Sequence, residues 1–209
     1  MKNLNPKIIF NGKAKFLYGA HNYSQVKKYH YPEIAFIGAS NVGKSSLINA
    51  LMTQRIAIVS NTPGRTRQLN FFMIEQGYKD GFIIVDMPGY GFAKAHEKNI
   101  THWQKTAFEY LAHRPNLKRV YLLIDPIKGL KSTDIDMINN FNSLAISFQI
   151  ILTKSDKISQ IEQSEYITKL TAKSKKWPAF FNEIILTSST KGYGIEKLQW
   201  SIIEIIKFL

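Results

Sequence analysis

Cysteine is absent from this 209-residue chain, which excludes disulfides and thiolate metal sites and suits a reducing cytoplasm. Long apolar runs are missing too. None approaches the roughly 20 residues that a membrane-spanning helix needs, so no membrane role is expected. The start, MKNLNPKIIFNGKAKFLYGA, lacks the apolar stretch of a secretory signal. Acids are scarce: 15 Asp and Glu stand against 28 Lys and Arg, a formal charge of +13. The shortage is uneven. Residues 1–74 carry ten basic side chains (Lys2, Lys7, Lys13, Lys15, Lys27, Lys28, Lys44, Arg55, Arg65, Arg67) and Glu33 as their only acid. That imbalance points to a polyanionic partner, most commonly nucleic acid. The competing reading is a lysine-rich chain that merely solvates itself. With 44% hydrophobic residues and no repeat, the expectation is one globular domain with an ordinary core.

What is present concentrates in FIGASNVGKSSLINAL, residues 36–51. The spacing from Gly38 to Lys44 and Ser45 fits G-x-x-x-x-G-K-[ST], the phosphate-binding loop. Such a loop needs glycine because successive backbone N–H groups must turn toward one anion. Lys44 would reach the β- and γ-phosphates, and the Ser45 hydroxyl would ligate Mg²⁺. A helix opening near Gly43 adds the positive end of its dipole. Apolar Ile34-Ala-Phe-Ile37 before the loop reads as a buried strand. Leu47, Ile48 and Leu51 after it share one helical face.

Along the chain, residues 1–30 read as an irregular basic N-terminal extension packed on a single domain of residues 31–209. Residues 56–67, with Pro63-Gly64, read as a loop. Residues 68–74 and 81–86 flank a turn signal and predict an antiparallel hairpin. Buried strands follow at 120–125, 149–153 and 183–187, alternating with helices near 98–112, 132–144, 161–175 and 194–208. Ser132-Thr-Asp134 supplies N-cap chemistry for the second of these helices. Strands alternating with helices predict an α/β fold, a mostly parallel sheet with helices on both faces. Ligands of such sheets bind at the carboxyl ends of the strands.

Three further motifs end strands. Asp86-Met-Pro-Gly89 places an acid suited to a metal-bound water beside the phosphate loop. Gly89 there offers an unobstructed N–H for a γ-phosphate. In Thr153-Lys-Ser-Asp156, a carboxylate can accept two hydrogen bonds from guanine N1–H and its amino group. Adenine would leave it unpaired at a cost of about 1–3 kcal/mol. The apolar stem of Lys154 can lie along the base. At Thr187-Ser-Ser189, the N–H groups of Ser188 and Ser189 can donate to guanine O6.

Together GASNVGKS, GRT, DMPG, TKSD and SST resemble the five nucleotide motifs of translation-factor-type small GTPases. The wording PEIAFIGASNVGKSSLINAL, TPGRTRQLNFF and VDMPGYGFA resembles the EngB/YsxC/YihA family of bacterial ribosome-assembly GTPases, over about residues 20–208. The resemblance implies a Ras-like P-loop GTPase fold of six strands with one antiparallel edge strand. It implies a cytoplasmic monomer that binds GTP and GDP with Mg²⁺ and hydrolyses GTP. It also implies a role in late assembly of the large (50S) ribosomal subunit through its rRNA, needed for normal cell division and septation. The nucleotide site it implies runs through Gly38, Ala39, Ser40, Asn41, Val42, Gly43, Lys44 and Ser45, then Gly64, Arg65, Thr66, Arg67 and Gln68. It continues through Asp86, Met87, Pro88 and Gly89, then Thr153, Lys154, Ser155 and Asp156, and ends with Thr187, Ser188 and Ser189. Lys44, Thr66 and Gly89 would carry catalysis, and Ser45 and Thr66 the metal.

The chain departs from the family at two places. Ala39 stands where an Arg is usual, and Pro126-Ile-Lys128 follows Asp125 in place of an Arg-His pair. Tyr90 occupies the position where Ras-like enzymes carry a water-orienting glutamine, so slow intrinsic turnover is expected. Asn41 matches an asparagine that helps hold K⁺ in related GTPases; its other reading is a loop-capping amide. An alternative to the assembly GTPase is a GTP-gated rRNA-binding module in which hydrolysis only times release.

Overall fold

Hydrophobic patterning alone places the sheet. In a computed structural model describing residues 5–58, 68–75, 81–90 and 97–207, β2 (Glu33–Gly38) is buried at every position. So is β6 (Phe148–Leu152), and β4 (Gly81–Asp86) and β5 (Leu117–Ile124) are buried over most of their length. Strands apolar on both faces need helices on both faces, and parallel pairing supplies them through crossover connections.

On one face lie α3 (Glu97–His113), α4 (Ser132–Ser143) and α5 (Gln160–Ser174). They contribute Tyr110, Leu111, Met137, Ile138, Phe141 and Leu170 to a core shared with Ile37, Val85 and Leu122. On the other lie α1 (Pro6–Phe10), α2 (Lys44–Met52) and α6 (Ile195–Lys207). Phe10, Leu47, Leu51, Leu198 and Ile202 pack there against Phe36, Ile84 and Leu123.

Among the described residues the sheet has seven strands, in the order β1-β3-β4-β2-β5-β6-β7, with β1 (Ala14–Ala20), β3 (Leu69–Glu75) and β7 (Phe180–Leu186) completing the set. The hairpin expected at 68–86 is β3 paired antiparallel with β4. The expected count of six corrects to seven because β1, read as irregular extension, pairs antiparallel along the outer side of β3. The strand that runs against the others is therefore inside the sheet, and the edge is β1. Its seven residues alternate poorly and their register shifts between Phe16 and Tyr18. Tyr18 stacks on Phe71 at 4.5 Å and Phe16 packs edge-on to Phe72 at 5.6 Å. Ile9 and Phe10 of α1 are buried in the core, so this N-terminal stretch is part of the fold.

The helix at 132–144 starts as expected, and of the expected capping segment Asp134 is the residue that acts. Asp134 reaches back and accepts the Lys131 N–H at 2.8 Å, while Ser132 supplies no cap. At α5 the reciprocal arrangement is complete: Ser159 accepts the Glu162 N–H and Glu162 accepts that of Ser159, a full capping box.

Candidate functional site

The loop from Gly38 to Lys44 leaves the carboxyl end of β2 and enters α2. Its course depends on two residues at positive φ, Asn41 at 62° and Gly43 at 102°, the second in a region that side chains rarely adopt. Gly38 is needed for a different reason: a Cβ there would meet the Leu123 carbonyl at 2.8 Å and the Val42 side chain at 2.9 Å. The loop is tied to the other strand ends. Thr153 Oγ1 donates to the Val42 carbonyl at 2.7 Å, and Lys154 Nζ to the Asn41 carbonyl at 3.0 Å. Asn41 is exposed, and its own amide makes no bond among the described residues.

Lys44 is buried at the first turn of α2, and its ammonium pairs with the buried Asp86 carboxylate at the end of β4. Ser45, half-buried, has no hydroxyl partner among the described residues. Beyond Asp86 the chain stays strand-like. Met87 N–H donates to the Phe36 carbonyl at 3.0 Å, Tyr90 N–H to the Gly38 carbonyl at 3.2 Å, and Ser40 N–H to the Tyr90 carbonyl at 2.9 Å. These bonds press Gly89 onto the phosphate loop, where a Cβ would lie 3.2 Å from Ser40 backbone atoms. Any larger residue would have to push Ser40 back by a few tenths of an ångström.

Tyr90 turns inward. Its hydroxyl donates to Asp134 at 2.7 Å with both side chains buried. Burial first, and then the Asp134 carboxylate, push this phenol well above its ordinary range. It is a neutral donor at any physiological pH.

At the far side, Lys154 sits at φ 54° and its ammonium also donates to Asp125 at 2.7 Å, while the other Asp125 oxygen accepts the Ile127 N–H at 3.1 Å. Ser155 N–H donates to the Thr187 carbonyl at 3.0 Å and Thr187 N–H to the Leu152 carbonyl at 2.7 Å, which laces the two loops together. Asp156 is exposed; the Ser188 hydroxyl first, with its own N–H and Thr190, holds its carboxyl below the usual range. The Ser188 N–H is committed to the Tyr193 carbonyl at 2.9 Å. Ser189 N–H has no protein acceptor among the described residues.

The structure thus gathers residues 38–45, 86–89, 153–156 and 187–189 at the carboxyl edge of the sheet. Gln68 lies at the start of β3, its amide donating to Asn70 at 2.8 Å. Gly64, Arg65, Thr66 and Arg67 lie outside the described residues. The departures at Ala39 and after Asp125 face each other: Ala39, Asp125, Lys128, Lys131 and Asp134 line one cavity of about 10 Å³. Two contributors escape sequence reasoning, Asp125 as the anchor of Lys154 and Asp134 as the acceptor of Tyr90. Their only sequence signals are an acid ending a strand and one near a helix start, which occur at many sites without function.

The sequence profile of the 50S ribosome-binding GTPase family matches residues 33–154. The chain is 49% identical over 181 residues to the "Probable GTP-binding protein EngB" of Bartonella tribocorum, across 84% of this chain and 85% of that one. It is 44% identical over 204 residues to its Bartonella quintana counterpart, across 95% of each. Among solved structures, a "probable GTP-binding protein engB" superposes with TM-score 0.65 at 26% identity, across 85% of this chain and 100% of that one. Aquifex aeolicus Era, solved with GDP and AlF4⁻, superposes with TM-score 0.69 at 25% identity, across 83% of this chain and 56% of that one.

Proposed function

The chain belongs to the EngB family of 50S ribosome-binding GTPases, and on that premise we propose that it binds GTP and GDP with Mg²⁺ and hydrolyses GTP slowly. The cycle serves late assembly of the large ribosomal subunit in the cytoplasm, and through it cell division. The observation that carries this reading is the meeting of four strand-end loops at one sheet edge. Each presents a group suited to a different part of the nucleotide.

The loop N–H groups of Asn41, Gly43, Lys44 and Ser45, with the α2 dipole, cradle the phosphates. Lys44 exchanges Asp86 for the β- and γ-oxygens, and Gly89 N–H meets the γ-phosphate. Lys154, pinned by Asp125 and the Asn41 carbonyl, offers its stem to the base. Asp156, exposed and braced by the Ser188 and Thr190 hydroxyls, accepts from guanine, and the Ser189 N–H donates to O6.

Among the described residues no cluster of three or more His, Cys, Asp or Glu side chains forms. A metal here takes hydroxyl and phosphate oxygens, which suits Mg²⁺. Ser45 and Thr66 would hold it, with Asp86 nearby, and it would supply neutralisation of charge on the β- and γ-oxygens. K⁺ at Asn41 is a further expectation, read out as faster turnover in KCl than in NaCl.

One observation favours the release-timer reading of hydrolysis. Tyr90 is committed to Asp134, so the position after Gly89 contributes no group to orient water. The basic N-terminal half supplies the charge for rRNA.

The test has two arms. Asp156→Asn should lower GTP affinity at least about tenfold, some 1.4 kcal/mol, and gain xanthosine nucleotide; unchanged calorimetric titration removes Asp156 from the base site. Sedimentation with 50S subunits should retain the chain with a GTP analogue more than with GDP. Equal retention in both states counts against a nucleotide-switched ribosomal role.

A further inference from the structure

We infer that the Tyr90 hydroxyl positions the γ-phosphate contact: by donating to Asp134 it moors the turn carrying Gly89 to α4. The inference rests on the reading that Gly89 N–H meets the γ-phosphate.

The turn from Asp86 to Gly89 needs a mooring because glycine cannot hold itself in place. Gly89 has no side chain and the widest backbone freedom of any residue. Two backbone bonds hold the following residue to Gly38 and Ser40, as a single parallel bridge between Ala39 and Tyr90. One bridge is a weak hold, since both its strands are loop on the far side. The Tyr90 side chain supplies the rest. The residue is 3% exposed and belongs to the core that α4 caps with Met137 and Ile138. Its hydroxyl ends on a carboxylate that cannot drift, because the other Asp134 oxygen holds the Lys131 N–H at the first turn of α4.

A side chain committed inward in this way is a poor water clamp. Its effect falls on where the preceding N–H points. A turn that samples several positions presents the Gly89 N–H for a fraction of the time, and apparent affinity falls by that fraction. GDP lacks the group that this N–H would touch. Loss of the mooring should therefore be selective for the triphosphate, whereas a merely structural role would move both nucleotides together.

The experiment is calorimetric titration of the full chain with GDP and with a non-hydrolysable GTP analogue. Tyr90→Phe should weaken the analogue at least about tenfold, the loss expected for one hydrogen bond to a charged acceptor, and shift GDP by less than about twofold. Asp134→Asn keeps a carbonyl oxygen for the hydroxyl and should lose less than Asp134→Ala, which must reproduce the selective loss. Gly89→Ala reports on the underlying reading, since its methyl would lie 3.2 Å from Ser40 and should also cost the analogue more than GDP. A selective loss in Gly89→Ala with none in Tyr90→Phe or Asp134→Ala overturns the mooring and leaves the Gly89 contact standing. Equal losses for both nucleotides in Gly89→Ala overturn the contact, and the mooring with it. Equal losses in Tyr90→Phe and Asp134→Ala reduce the hydroxyl to a structural part.

Discussion

Two ion pairs of similar burial behave as opposites. Arg114, just past α3, and Glu33 of β2 pair with side-chain exposures of 5% and 0%, and Lys44 and Asp86 join α2 to β4 with 9% and 4%. Glu33 accepts from Arg114 Nε at 2.8 Å, again from Arg114 Nη2, and from the Tyr110 hydroxyl at 2.8 Å; Arg114 also donates to the Lys27 carbonyl at 2.9 Å. Both carboxylate oxygens and two of the three guanidinium nitrogens there have work within the fold. Lys44 and Asp86 have only each other among the described residues. An ammonium with three donors and a carboxylate with four lone-pair positions are left largely unsatisfied. Burial alone therefore does not distinguish a structural charge from a functional one. Saturation does: the unsaturated pair is the one with capacity for a ligand.

The largest effect should come from breaking the saturated pair. Glu33→Ala leaves Arg114 buried without its carboxylate and strands the Tyr110 hydroxyl, at a cost of about 3–5 kcal/mol. Urea unfolding should show it as a lower midpoint, with nucleotide affinity per folded molecule unchanged. If Glu33→Ala costs under about 1 kcal/mol, the network is ornamental and saturation has lost its meaning as a marker.

The opposite result should follow from neutralising the unsaturated pair. Lys44→Met with Asp86→Asn removes both charges at nearly constant volume. Replacing buried ion pairs in this way is often neutral or stabilising by about 1–4 kcal/mol. Stability should hold or rise, while nucleotide affinity should fall at least about 100-fold, equivalent to some 2.7 kcal/mol. A chain that unfolds would place Lys44 and Asp86 with the structural kind.

The same distinction explains what could be read from the sequence. The phosphate loop, Asp86-Met-Pro-Gly89 and Thr153-Lys-Ser-Asp156 were legible because their chemistry is local: glycines where backbone must bend or approach, and an acid or lysine at a strand end. The five parallel strands were legible from their apolar runs. The strand Ala14–Ala20 was not, because AKFLYGA alternates weakly and gains its stability from pairing with β3, some 55 residues away in register. Nor was the direction of Tyr90. An aromatic after D-x-x-G reads equally as a lid over a ligand or an anchor into the core, and only Asp134, 44 residues on, decides between them. The cap at α4 was legible only as the segment Ser132-Thr-Asp134, for a related reason. Ser132 and Asp134 both suit a helix start, and the position of Lys131 selected the acid.

The smallest expected effect concerns an unsaturated group with no ligand to serve. The Tyr166 hydroxyl on α5 is buried without a hydrogen-bond partner, yet it lies outside the loops that form the site. If unsatisfied groups mark function only where strand ends converge, removing this one should cost nothing. Tyr166→Phe deletes a desolvated hydroxyl and keeps the ring, so stability should change by less than about 0.5 kcal/mol and in the stabilising direction. Nucleotide affinity should not move. The pH dependence supplies a sharper reading. Burial first, then the Asp134 and Asp125 carboxylates, push this phenol from 10.0 up to about 12. An acid whose pKa is raised by folding stays protonated in the folded chain while the unfolded chain ionises. Its contribution is therefore intact below pH 10 and is lost as pH rises from 10 towards 12. Tyr18 and Tyr121, also raised to about 12, keep a similar loss in both chains. The Phe variant should accordingly lose less stability than the parent over that interval, measured as the difference in urea midpoint at pH 9 and pH 11. A variant that loses as much as its parent would mean that the Tyr166 hydroxyl reaches solvent. A variant that loses nucleotide affinity would extend the site to α5 and end the distinction drawn from the two ion pairs.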